Sequence, residues 1–264
     1  MNLELTNLHV LITGGSKGIG LACARGFIAE GARVTLVSRT LETLQSAQRE
    51  LQSAAPSATV NIIAADLCNA AEAERMVEAV ERDFGAVDVL VNSAGAAKRT
   101  PAAELTTDAW HDAMQAKFFT YIHVLNPLIK KMGARGRGAV VNVVGAGGKV
   151  AAVTHLAGGS ANAALMLASS GLAAAYAGKG VRVNAVNPGL TLTERLHEGM
   201  QAEARQQGIS MEEALARAKA TRPLGRIAEP REIADAVVYL ASNRASYITG
   251  AVLAMDGAVT PMVV

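Results

Sequence analysis

"HVLITGGSKGIGLACARGF", residues 9–27, decides the fold. Residues 9–13 are rich in branched aliphatics and read as a buried strand; Gly14, Gly18 and Gly20 mark a turn, and an alanine-rich helix follows. Glycines at these places let the chain turn tightly and bring backbone amides to a phosphate at the helix N-terminus. Three glycines alone are a weak pattern. Set between a strand and a helix, they point to a dinucleotide-binding unit.

The rest of the chain continues that rhythm. Strands are predicted over 33–38, 60–64, 87–91, 139–144, 181–186 and 252–255, and helices over 19–30, 41–54, 70–84, 107–131, 159–177 and 230–242. Alternating strands and helices imply right-handed crossovers and a doubly wound parallel α/β sheet in one domain spanning 1–264. One segment, about 190–225, is charged and helical, with Ser210 and Glu213 at capping-box spacing. A long excursion at that edge of the sheet is expected to be a lid over a ligand crevice.

Bulk properties narrow the function. Half of the 264 residues are apolar but aromatics are only 3%, so small aliphatics must fill the core. The formal net charge is +2 and the basic residues are scattered, which argues against nucleic-acid or membrane partners and for a small-molecule substrate. Cys23 and Cys68 have no metal-ligand or disulfide-framework spacing, and no metal site is expected. Without a signal segment or an apolar run of membrane-spanning length, a cytoplasmic protein is the expectation.

TGGSKGIG (13–20), NSAG (92–95), NPG (187–189) and the C-terminal ITGAVLAMDGA occur in the order seen in the classical short-chain dehydrogenases/reductases, which this sequence resembles over essentially its whole length. The resemblance implies a Rossmann-type, seven-stranded, three-layer αβα fold, bound NAD(P), and a homotetramer or homodimer. It places Gly14, Ser16, Lys17, Gly18, Ile19 and Gly20 around the cofactor phosphates, Asp66 and Leu67 beside the adenine, and Asn92, Ala94 and Gly95 beneath the adenine ribose. Pro188, Gly189, Thr191 and Thr193 would hold the nicotinamide side. The second predicted strand ends in Ser38 and Arg39, where an NAD site usually carries an acid. With Lys17 nearby, two cations face the 2′-phosphate position, and NADP(H) is preferred over NAD(H).

The resemblance also implies an Asn-Ser-Tyr-Lys catalytic set, and here the sequence departs. Counting back from "GKGVRVNAVNPG" puts the tyrosine position at Gly158, the lysine position at Asn162 and the serine position at Gly145; counting on from Trp110 puts the asparagine position at Lys117. Glycine offers no side-chain proton, so the standard route is excluded. His155 and Lys117 are the candidate substitutes, the first titrating near neutrality and the second able to do so if buried. The glycines at 145, 147, 148, 158 and 159 are expected to open a wide cavity for a bulky substrate. The reading is an NADP(H)-dependent oxidoreductase acting on a carbonyl or alcohol by a non-standard proton route. A catalytically silent NADP(H)-binding sensor or scaffold is the alternative.

Overall fold

The computed structural model describes residues 2–95 and 97–262. The glycine-rich stretch forms strand β1 (His9–Thr13), a turn, and helix α1 (Gly18–Ala29). There follow β2 (Arg33–Ser38), α2 (Leu41–Ala54), β3 (Val60–Ala64), α3 (Ala70–Phe84) and β4 (Val89–Asn92). The second half holds α4 (Thr107–Ala113), α5 (Thr120–Arg135), β5 (Gly138–Val143), α6 (Leu156–Ala177), β6 (Val181–Pro188), α7 (Glu194–Gln207), α8 (Met211–Ala220), α9 (Pro230–Ala241) and β7 (Val252–Met255). The seven strands make one parallel sheet in the order β3-β2-β1-β4-β5-β6-β7.

The sheet is covered on both faces, as near-continuous aliphatic strands require. Val10, Ile12, Val34 and Leu36 point to one side and pack on Phe27 of α1, Leu44 of α2 and Val237 of α9. Leu11, Val37 and Leu90 point to the other, against Val77 of α3 and Leu125, Leu128 and Ile129 of α5. The strand order reverses between β1 and β4, which opens a crevice at the carboxyl ends of the strands where ligands bind in such sheets.

Two elements differ from expectation in ways that shape the site. The helix predicted over 107–131 is interrupted by a π-helical stretch, Met114–Phe119, that separates α4 from α5. A wider turn shifts the angular register of everything after it, and such bulges favour functional sites. Here it carries Lys117 inward to a buried position. Helix α6 begins at Leu156, before the predicted start at 159, so that His155 occupies its N-cap.

The 190–225 excursion comprises α7 and α8, which pack Met200, Ala204 and Ala214 into a small core of their own. Its two ends are pinned together by a bridge between Thr191 and Ala228, where Leu192 N donates to Ala228 O at 2.8 Å. Ser210 caps α8 by accepting from Glu213 N at 3.1 Å, while the Glu213 carboxylate pairs with Arg217 at 2.6 Å. The expected reciprocal box is thus half formed.

Candidate active site

The floor of the crevice is backbone packed on backbone. A Cβ on Gly14 would stand 2.9 Å from Ala94 N and Cα, and one on Gly20 would strike the Gly14 carbonyl. The glycine turn therefore lies directly on the NSAG loop, with Thr13 Oγ1 accepting from Ser93 N at 3.1 Å and Ala94 N at 3.2 Å. Gly95, at φ +86°, presses against the π-helical stretch, where a Cβ would meet the Ala116 carbonyl and, at 2.9 Å, Thr120 Oγ1. Lys17, the N-cap of α1, makes no capping bond, and the helix has no acid in its first turn. Its free amides and positive dipole end face the crevice uncompensated.

The cations expected at the 2′-phosphate are placed differently from each other. Lys17 donates to Glu194 on α7 at 3.0 Å, which ties the 190–225 excursion to the glycine turn. Arg39 is exposed and has no hydrogen bond or ion pair among the described residues. Ser38 turns its hydroxyl to Thr40 O at 3.3 Å. Asp66 accepts from Cys68 N at 3.0 Å in the turn before α3, and the Leu67 side chain is in the core. Asn92 donates to Asn142 Oδ1 at 3.0 Å, and Asn142 donates in turn to Ser169. Gly189 N donates to Met255 O at 3.0 Å, Thr191 Oγ1 donates to the Gly189 carbonyl at 3.3 Å, and Thr193 caps α7 by accepting from Leu196 N.

At the other end of the crevice the glycines hold a histidine. A Cβ on Gly158 would lie 2.7 Å from both His155 Nε2 and Ala97 Cβ, and closer still to His155 Cε1. A Cβ on Gly147 would lie 3.1 Å from His155 Cδ2. The imidazole thus folds back over the first turn of α6 and takes the volume that a side chain at 158 would fill. Among the described residues, the wide cavity expected there is not formed. Gly148 and Gly159 serve packing instead, since a Cβ at 148 would stand 2.7 Å from Ala163 N and one at 159 would stand 2.7 Å from Gly147 O. His155 Nδ1 is buried without a hydrogen-bond partner. Burial first, then the positive charges of Arg99, Lys117 and Arg195, push the imidazole below its ordinary value, so the ring is neutral near pH 7.

Lys117 lies one layer deeper. Its Nζ donates to Tyr121 Oη at 2.8 Å and to Val143 O at 3.1 Å, and stands 4.5 Å from the centre of the Tyr121 ring. Burial, and after it the charge of Arg195, pull Lys117 from 10.5 down to about 7. Tyr121 is fully buried and donates to Val143 O at 2.5 Å, and burial drives its pKa up, away from any acid role. Of the other tyrosines, Tyr176 lies under Lys179, Tyr239 is on α9 and Tyr247 is fully exposed.

Asn162 is buried beside these groups, its Nδ2 lying 3.1 Å from where a Gly145 Cβ would be. Its Oδ1 has no partner. Arg195, which no motif singled out, enters through its charge at Lys117, Tyr121 and His155. The signal available in the sequence was its place two residues after "TLT", at the start of the 190–225 excursion.

Known proteins agree with this architecture. A family model described as enoyl-(acyl carrier protein) reductase matches residues 14–260. The chain is 33% identical to the D-threitol dehydrogenase of Mycolicibacterium smegmatis, over 98% of this chain and 95% of that one. Among solved structures, L-sorbose reductase from Gluconobacter frateurii, in complex with NADPH and L-sorbose, superposes with a TM-score of 0.94 at 30% identity over all of both chains. A short-chain oxidoreductase from Pseudomonas aeruginosa, NADPH-bound and described as containing an atypical catalytic centre, superposes with a TM-score of 0.88 at 31% identity over 98% of this chain and all of that one. Fold, crevice and relatives converge: the chain belongs to the short-chain dehydrogenase/reductase family and is an oxidoreductase of that type.

Proposed function

We propose that this protein is an NADP(H)-dependent oxidoreductase that interconverts a carbonyl and an alcohol, with His155 and Lys117 replacing the phenol and lysine of its relatives. The observation that carries this reading is the His155 ring, seated in the volume left by Gly158. In this account Lys117, Gly145, Gly158 and Asn162 stand at the family's four catalytic positions, and the glycines make room for the imidazole.

The residues present fit the cofactor. The uncapped N-terminus of α1 offers amides to a pyrophosphate. The orphaned Asn162 Oδ1 is an acceptor waiting for a ribose hydroxyl or an amide, and the orphaned Asn187 Oδ1 is another. Unpaired Arg39, with Lys17 released from Glu194, supports NADP(H) over NAD(H), because a guanidinium holds a phosphate with charge-assisted bonds. When bound, the nicotinamide supplies or accepts the hydride.

The chain's own groups manage the proton. A neutral His155 with a free ring nitrogen accepts the proton of a substrate hydroxyl in oxidation and returns it to the carbonyl oxygen in reduction. Lys117, titrating near neutrality, replenishes that proton from behind, and its charge favours the alkoxide-like oxygen. Tyr121 and Val143 O fix the ammonium in place. The α7–α8 excursion, pinned at Thr191 and Ala228, acts as a lid that excludes water. No helix among the described residues is long and apolar enough to cross a membrane, in keeping with a cytoplasmic enzyme. Exposed Leu167 on α6 and Leu253 on the edge strand β7 support a homotetramer.

The test is NADPH oxidation, followed by absorbance, across a panel of ketones, oxo acids and quinones. Turnover above a heat-inactivated control is expected. Tight NADPH binding without turnover on any of them would return the protein to a silent cofactor binder.

A further inference from the structure

Three cationic side chains, Arg99, Lys117 and Arg195, bring positive charge to bear on His155. Two segments border the crevice beside it: residues 97–101 after β4 and residues 144–155 after β5. Neither contains an aspartate or glutamate, while they carry Lys98, Arg99 and Lys149. The two segments are stitched together beside the histidine, Thr100 N donating to Thr154 O at 3.0 Å. Arg99 is exposed on that seam, and it makes no hydrogen bond or ion pair among the described residues. Arg195, whose charge reaches His155, sits in the first turn of α7 with no hydrogen bond or ion pair among the described residues; the adjacent Glu194 pairs with Lys17 instead, and Glu198 lies one turn on. Lys117 adds a third positive group from below. Arginine usually engages a carboxylate or phosphate through two parallel bonds, and two guanidinium groups left unpaired near a half-buried imidazole and an orphaned Asn162 oxygen describe a receptor for an anion.

Resting on the oxidoreductase reading above, we propose that the substrate is an acidic carbonyl or hydroxy compound whose carboxylate or phosphate is held between Arg99 and Arg195, with its reacting oxygen at His155. A neutral sugar or ketone would leave the two guanidinium groups unanswered. The Arg195 arm rides on the lid, so an anionic substrate draws α7 down over the crevice as it binds.

The test uses the full chain saturated with NADP+, so that cofactor phosphates are already satisfied. Arg99 and Arg195 are labelled with phenylglyoxal and the rate at each is read by peptide mass spectrometry. Benzoate and phenyl phosphate serve as probes, with benzyl alcohol as the neutral control. Slower labelling of Arg195 by either anion, and not by the alcohol, is expected; which anion protects identifies carboxylate or phosphate. By calorimetry, Arg195→Met weakens the protecting anion by about 10- to 100-fold, Arg195→Lys by less, and neither changes NADP+ affinity. Equal protection by the alcohol, no protection at all, or an Arg195→Met defect confined to NADP+ binding would overturn the proposal. Anion binding without turnover would leave it standing and remove the oxidoreductase reading. Turnover of neutral ketones that Arg195→Met leaves untouched would do the reverse.

Discussion

Lys117→Met removes a charge that the fold holds at a cost. In the unfolded chain the ammonium titrates at its ordinary 10.5, and in the folded protein at about 7. Between those values the unfolded chain binds a proton that the folded protein does not, so stability rises with pH across that window. Below it both states are protonated and the cost is full and constant; above it neither is, and the cost vanishes. At about 1.4 kcal/mol per tenfold change in proton affinity, the full cost is about 5 kcal/mol. The bonds to Tyr121 and Val143 offset part of it, so the readout is the pH slope and not the absolute difference. Between about pH 6.5 and about pH 8.5 the wild type is expected to gain about 2 kcal/mol over Lys117→Met. For a chain of this size that is about 4–8 °C in melting temperature. Urea unfolding of both cofactor-free proteins, side by side at each pH, measures it, and titrations shared by the two chains cancel. A flat difference would show that the ammonium keeps its proton well above neutrality, and would remove Lys117 as a proton source.

Gly158→Ala forces the imidazole out, because the new methyl would lie 2.7 Å from His155 Nε2 and Ala97 Cβ; turnover is expected to fall by about 100-fold or more with NADPH affinity unchanged, as read by steady-state kinetics and fluorescence titration. Arg39→Ala is expected to weaken NADPH by about 10- to 100-fold and leave NADH alone, which the same titration with both cofactors checks. Glu194→Gln breaks an exposed ion pair worth about 0–1 kcal/mol, so the unfolding midpoint stays within error while NADPH binds more tightly through the freed Lys17.

The sheet was legible because its strands are short β-branched runs and its helices long and periodic. Alternation of the two fixes a doubly wound topology with little else needed. The glycine turn was legible for a related reason: Gly14, Gly20 and Gly95 answer close backbone approaches that no other residue permits, and such demands leave a mark in sequence. At the His155 end of the crevice the sequence offered little beyond a run of glycines. Periodicity of a 3.6-residue helix runs unbroken through 114–119, so nothing announced the π turn that buries Lys117. Tyr121, which carries no motif, proves to be the partner that anchors Lys117. The glycines read as a hollow turned out to be contact surfaces, because what fills the space at Gly158 comes from the N-cap of the same helix, and spacing does not reveal how an N-cap side chain folds back. Arg195 carried no motif, and only the assembled crevice brings its charge to bear on His155.

The central claim is that the proton passes through an imidazole and not a phenol. Turnover of NADPH by His155→Phe and by Tyr121→Phe, on one substrate at saturating cofactor, tests it most directly. The account predicts that His155→Phe loses about 100-fold or more while Tyr121→Phe stays within about tenfold of the wild type. Full activity in His155→Phe together with a collapse in Tyr121→Phe would contradict it.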